Sequence, residues 1–314
     1  MRILVTGVSG LLGLNLAFEL SGALGSVARH QVTGVMNAHP LRPQPGAALP
    51  FATRQVDLLN TGALESLLAE SRPDWVIHCA ALANLDACEA DPELARQLNT
   101  DLPRRLALLA RQSGARLVHV STDAVFDGQR GGYTEQDATA PLGVYAQTKL
   151  DAESAVLEAD PQAIVARLNL FGWSLQGKRS LGEFFVNNLR SGKCVMGFTD
   201  VIFCPLLAND QAWIFNEMLE RGLSGLYHVV SSECLSKYDF GLRVAAQFGL
   251  DGSLIQPASV ADSGLKAARA PNLALKTDKL ANALGHALPT LAPALERFYL
   301  LEQQGYRQML QSLA

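Results

Sequence analysis

The stretch ILVTGVSGLLG, residues 3–13, reads as a short buried strand running into a glycine-rich turn and then into a helix starting at about Leu12. Gly7, Gly10 and Gly13 follow the apolar run at a spacing of three. Glycines so placed permit a tight turn. They also let the backbone and the amino end of a helix approach a negatively charged group such as a pyrophosphate. The pattern is GxxGxxG rather than the commoner GxGxxG of dinucleotide sites, and it meets the same physical demands.

Outward from this turn the same alternation recurs. VTGV (residues 32–35) is a second strand, a third run ends at Asp57, and TGALESLLAES from Thr61 places apolar residues at helical spacing. WVIHC (75–79) is a fourth strand, Pro92 opens a long helix through about Gln112, and LVHVS (117–121) is a fifth. A helix around Tyr145 and the run AIVARL (163–168) complete the series. Strands alternating with helices imply parallel pairing through crossover helices, and continuous apolar runs suit strands buried on both faces. The expected architecture is therefore α/β, a doubly wound parallel sheet of the Rossmann kind whose ligands bind beyond the carboxyl ends of the strands.

After about Leu170 the regularity weakens, with helices near residues 182–190, 237–248 and 288–302 between Gly-rich connections. We read 1–168 as a dinucleotide-binding domain and 169–314 as mainly a smaller α/β substrate-binding lobe, with interleaved boundaries. The Pro-rich segment at 39–50 is a loop inside the first domain, and the chain carries no internal repeat.

Composition narrows the class of function. Hydrophobic residues make up 48% of the 314 and charged ones 18%, an ordinary globular balance. A net charge of −4 without a long basic run argues against nucleic acid as a partner. The apolar opening could pass for a secretory signal, but Asn15, Glu19 and the glycines interrupt it. No uninterrupted apolar stretch approaches the ~20 residues of a membrane span. The five cysteines form no CxxC, which fits a reduced, cytoplasmic protein, with Cys204 filling space. The six histidines form no HxxxH or HExxH, so no metal site is expected, and His78 and His119 read as satisfied core residues. Neither a GxSxG elbow nor a GxxxxGK[ST] phosphate loop is present.

Cofactor type turns on the end of the second strand. An acidic residue there would bind the 2′-hydroxyl of NAD. This chain has Asn37 instead, followed by Arg42, which could pair with a 2′-phosphate, so NADP(H) is favoured and NAD(H) remains open.

The chemistry centres on VYAQTKLDAE, residues 144–153, where Tyr145 and Lys149 stand four positions apart on one helix face. A phenol can give a proton to a developing alkoxide, and a nearby ammonium would lower its pKa from about 10. Together, TGVSGLLG, STDAVFDG (121–128) and YAQTK (145–149) resemble the extended short-chain dehydrogenase/reductases. Within them the chain is similar to the dTDP-4-dehydrorhamnose reductase branch, also through AALANLDACEADPELARQLN (80–99) and RAPNLALKTDKL (269–280).

The resemblance implies an NAD(P)H-dependent reductase of a 4-keto-6-deoxy nucleotide sugar, as in dTDP-rhamnose biosynthesis. It implies Tyr145 as proton donor, Lys149 on the nicotinamide ribose, Thr122 orienting the carbonyl oxygen and Asn99 maintaining a water-mediated proton path. Cofactor contacts would come from Gly7, Ser9, Gly10, Leu11, Leu12 and Gly13 of the turn. Asn37, Arg42, Asp57 (beside the adenine), Leu58, Ala80 and Ala81 would add to them. A homodimer through the helices flanking Tyr145 is also in keeping with the superfamily.

The sugar pocket departs from the branch. Ala83 stands where it usually has threonine, Ala124 replaces a tyrosine, Leu170 a tryptophan and Leu206 a threonine. Substrate contacts are expected from Ala83, Asp123, Ala124 and Leu170, with Arg179 and Arg269 available for a pyrophosphate. Two other readings follow from the same resemblance. One is a nucleotide-sugar epimerase or dehydratase, since Asp123 sits where dehydratases carry an acid. The other is a non-catalytic NADP-binding regulatory subunit, which the pocket changes favour and the intact Thr122, Tyr145 and Lys149 disfavour.

Overall fold

Each apolar run of the first half becomes a strand in the computed structural model, which describes residues 1–25, 29–44, 46, 48–262 and 270–314. These strands are β1 (Arg2–Thr6), β2 (Gln31–Met36), β3 (Ala52–Gln55), β4 (Trp75–His78), β5 (Arg116–Thr122) and β6 (Ile164–Leu168). Among the described residues they join a seventh, Gly225–His228, in one sheet ordered Gly225–His228, β6, β5, β4, β1, β2, β3. Every pairing in it is parallel. The crossovers carry α1 (Leu11–Leu20), α2 (Thr61–Ser71), α3 (Leu85–Ala90), α4 (Pro92–Arg96), α5 (Leu102–Ser113) and α6 (Val144–Ala159).

Strand side chains alternate between two cores, as a sheet covered on both faces requires. Leu4, Val76 and Leu117 face the layer of α2 and α5, while Ile3, Ile77 and Val118 face α1 and the carboxyl-terminal helices. The strand order reverses between β1 and β4, and the Gly7 turn and Ala80 meet at that switch point. The seventh strand comes from beyond residue 168, so the second half of the chain completes the sheet of the first.

Beyond β6, the helices Leu181–Arg190, Lys237–Phe248 and Leu291–Gln303 pack around an aromatic cluster that is continuous with the core under α1. Trp173 stacks on Phe298 at 4.0 Å and donates its indole N–H to the Phe298 carbonyl at 2.9 Å. Among the described residues no helix is long and apolar enough to cross a membrane.

Two expectations are corrected here. The long helix from Pro92 is interrupted by a π-turn at Gln97–Asp101, where the Leu102 N–H reaches back to Gln97. Pro103 lacks the N–H that would bond the Asn99 carbonyl, so the helix widens there, and Asn99 turns inward to 1% exposure. Cys204 is not a space filler either: it is disulfide-bonded to Cys234. The antiparallel pairing of Phe203 with Leu235 brings these cysteines side by side, which a separation of 30 residues conceals. Thiol titration in denaturant without reductant should count three thiols (Cys79, Cys88 and Cys194), rising to five after reduction. Five at the outset would show that the bond does not form.

Candidate active site

Gly7 has φ +71°, a left-handed conformation, and an added Cβ would lie 2.7 Å from the Ala80 amide nitrogen. At Gly13 an added Cβ would lie 2.5 Å from the Gly7 carbonyl oxygen, so α1 packs directly on the turn. Gly10 caps α1 without a side chain, leaving the N–H groups of its first turn for a ligand. This cradle fits a dinucleotide pyrophosphate. Gly13→Ala must push α1 off the turn, and we expect at least about a tenfold loss of NADPH affinity by fluorescence titration, the equivalent of ~1.4 kcal/mol. Unchanged affinity would remove the turn from the site.

At the adenosine end, Asn37 at the end of β2 reaches Asp57 at 3.5 Å, and Asp57 also accepts the Leu59 N–H at 3.1 Å. Arg42 is exposed on a loop fixed by its backbone N–H to Leu313.

The catalytic candidates meet beyond the ends of β4 and β5. Thr122 ends β5, and its hydroxyl lies near the Tyr145 phenol, where it pulls the phenol pKa down against the larger effect of burial. Asn99 is fully engaged. Its Oδ1 accepts the Leu82 N–H at 2.8 Å, and its Nδ2 donates to the Leu82 carbonyl and to Thr148 Oγ1. It therefore pins the loop after β4 to α6.

Lys149 corrects the expected tuning. Its Nζ donates to the Val120 carbonyl at 2.5 Å and contacts His119 Nε2 at 3.2 Å, rather than lying against the phenol. Burial lowers it to about 8, against the charge of Glu153. Tyr145 is pushed up to about 12, first by burial and then by the charge of Asp123. His119 and His78 are accordingly not the satisfied core residues expected: His119 Nδ1 and His78 Nε2 are buried without a hydrogen-bond partner among the described residues. Burial and Lys149 hold His119 neutral, so its Nε2 lone pair receives the ammonium. His78 lies next to it in register across β4 and β5, its Nδ1 2.7 Å from Thr6 Oγ1.

Tyr145 opens into a cavity of about 430 Å³. Leu85, Ala124, Leu142, Val201, Ile202 and Leu273 make its wall mostly apolar, with Glu89, Asn169 and Lys237 as its further polar groups. Ala124 is thus where the sequence placed it, and Asp123 lies buried just behind it. Ala83, Leu170 and Arg179 do not line this cavity. Ala83 is exposed, Leu170 packs on the main core beside Leu206, and Arg179 turns its Nε to Gln176. Arg269 lies outside the described residues. Lys237 and Asn169 went unnoticed in the sequence. The cap formed by Ser236 and Asp239 marks a helix starting at Lys237, but nothing local aims it at Asp123.

Residues 1–303 match the family described as RmlD substrate binding domain. The chain is 33% identical to a protein described as probable low-salt glycan biosynthesis reductase Agl14 of Haloferax volcanii, over 93% of this chain and 95% of that one. It is 32% identical to methionine adenosyltransferase 2 subunit beta of Pongo abelii, over 89% and 81%. To dTDP-4-dehydrorhamnose reductase of Mycobacterium tuberculosis it is 33% identical, over 79% and 84%. Among solved structures, dTDP-4-dehydrorhamnose reductase of Bacillus anthracis in complex with NADP shares the fold with a TM-score of 0.79 at 24% identity, over 95% and 98%.

Proposed function

The chain belongs to the RmlD substrate binding domain family, and from that premise we propose that it is an NAD(P)H-dependent reductase of a 4-keto-6-deoxy nucleotide sugar. The observation that carries this reading is the meeting of Thr122, Tyr145 and Lys149 beside the cavity, next to a glycine cradle that fits a dinucleotide. A reduced nicotinamide bound there supplies the hydride. Tyr145 gives the proton to the carbonyl oxygen, and Lys149, already fixed by Val120 and His119, keeps a third N–H for the cofactor ribose. NADPH is the favoured reductant, because β2 ends without a carboxylate that would repel a 2′-phosphate.

The experiment is NADPH oxidation with dTDP-linked 4-keto-6-deoxyhexoses, repeated with NADH. We expect turnover with a lower KM for NADPH, whereas a strong preference for NADH would reverse the cofactor assignment. A second reading, a non-catalytic NADP-binding subunit, is favoured by the likeness to methionine adenosyltransferase 2 subunit beta. NADPH binding without turnover, together with a stoichiometric complex with a methionine adenosyltransferase, would establish that reading instead.

A further inference from the structure

Across β1, β4 and β5, Thr6, His78 and His119 stand side by side in register. Each is at most 1% exposed, in a sheet whose covered strands otherwise carry apolar side chains. Thr6 Oγ1 accepts the Ala80 N–H at 3.3 Å and lies 2.7 Å from His78 Nδ1. The His78 and His119 rings stack with centroids 5.6 Å apart. This polar row runs from the loop packed on the glycine turn to Lys149 of α6, whose Nζ lies 3.2 Å from His119 Nε2. An ammonium can only donate, so His119 presents the Nε2 lone pair and carries its own proton on Nδ1. That Nδ1 has no partner among the described residues. A buried N–H left without an acceptor is costly, so satisfying the imidazole does not explain its place.

We propose that His119 is a positioning residue: its Nε2 lone pair and the Val120 carbonyl take two of the three N–H groups of Lys149, which fixes the ammonium against β5 and leaves the third N–H for the cofactor ribose. This rests on the reductase reading above, which gives Lys149 that contact. The side-chain partner of Lys149 is thus an imidazole on the strand behind it, not the phenol one turn back on α6. With water excluded, a lone pair that accepts from the ammonium also favours the charged form over the amine.

The titratable groups around the ammonium agree. Burial lowers Lys149 to about 8, and the charge of Glu153, one turn on along α6, opposes that fall. Glu153 itself is shared, accepting from Arg167 of β6 at 2.6 Å and from Ser121 of β5 at 2.5 Å. Burial pushes Cys79, just past β4, up to about 12, so it stays a thiol, and lowers His78 to about 3, so it stays neutral. Tyr145, pushed up to about 12, is uncharged as well. Near the start of α6, Glu89 of α3 accepts the Val144 N–H, and Asp123 past β5 accepts from Asn169. His119 therefore reaches the ammonium directly as a neutral acceptor, and removing its lone pair lets the amine form at lower pH.

Nuclear magnetic resonance of protein labelled with carbon-13 at lysine Cε, without cofactor, tests this directly, the Lys149 signal being assigned by its loss in Lys149→Met. In the wild type we expect Lys149 to titrate near pH 8. In His119→Leu the midpoint should fall by roughly one pH unit, about a tenfold rise in acidity, and NADPH affinity should decline at correspondingly lower pH. His119→Gln, which offers a carbonyl oxygen in place of Nε2, should recover most of the difference. A Lys149 midpoint, or a pH dependence of NADPH affinity, that is the same in the wild type and His119→Leu overturns the proposal. If the variants do not fold, long-range proton–nitrogen correlation of the wild-type histidines decides: a bare Nε2 on His119 supports it, and a proton on Nε2 overturns it. Failure of the wild type to reduce any carbonyl substrate would instead defeat the reductase reading, while the Lys149 and His119 signals would still decide the role of His119.

Discussion

Replacing Tyr145 by Phe lowers turnover by about 10²- to 10⁴-fold, the usual contribution of a positioned general acid, while NADPH binding stays near that of the wild type. The split follows from the geometry. The phenol oxygen meets Thr122 at the cavity, whereas the cradle for the cofactor is built from Gly7, Gly10 and Gly13 across the switch point. Removing one oxygen leaves the ring packed and the cradle untouched. Single-turnover rates with saturating NADPH separate chemistry from binding. A rate close to the wild type would take Tyr145 out of the proton transfer and leave the redox reading without a donor.

Arg297→Ala should destabilise the protein by about 3 kcal/mol, because it removes the cation between two buried carboxylates. Arg297 reaches Glu19 at 2.6 Å and Asp210 at 2.5 Å, and Glu19 is fully buried in α1. Its own side chain is 25% exposed, which places the effect at the low end for a broken buried pair. The consequence reaches the site, since α1 is the helix that packs on the glycine turn and these ion pairs tie the helix Leu291–Gln303 to it. Denaturant unfolding and NADPH titration should both register the change. The triple variant Arg297→Met, Glu19→Gln, Asp210→Asn should recover much of the loss, because no buried anion is then left without its cation. An unchanged unfolding midpoint in Arg297→Ala would show that the cluster contributes little.

The parts of this protein legible in its sequence are those fixed by neighbours along the chain. The strands at Ile3–Val5 and Trp75–His78 show as unbroken apolar runs because both faces of a parallel strand are covered. The turn shows as spaced glycines because Gly7 is left-handed and Gly13 touches the Gly7 carbonyl. Tyr145 and Lys149 show as a pair because four residues make about one helical turn. The break at Gln97–Asp101 was also open to reading, since Pro103 cannot donate to Asn99, yet the stretch from Pro92 to about Gln112 reads as one continuous helix.

Electrostatics and pocket walls were decided by the tertiary structure alone. Lys149 sits one turn from Tyr145, yet its ammonium belongs to Val120 and His119, and the phenol answers to burial and to Asp123, just past the end of β5. Asp123 in turn depends on Asn169, 46 residues on, and on Lys237. The physical reason is the same throughout. Backbone conformation is set by a residue and its close neighbours in the chain. A buried group's pKa and partners are set by whatever groups the fold brings within a few ångströms once water is excluded.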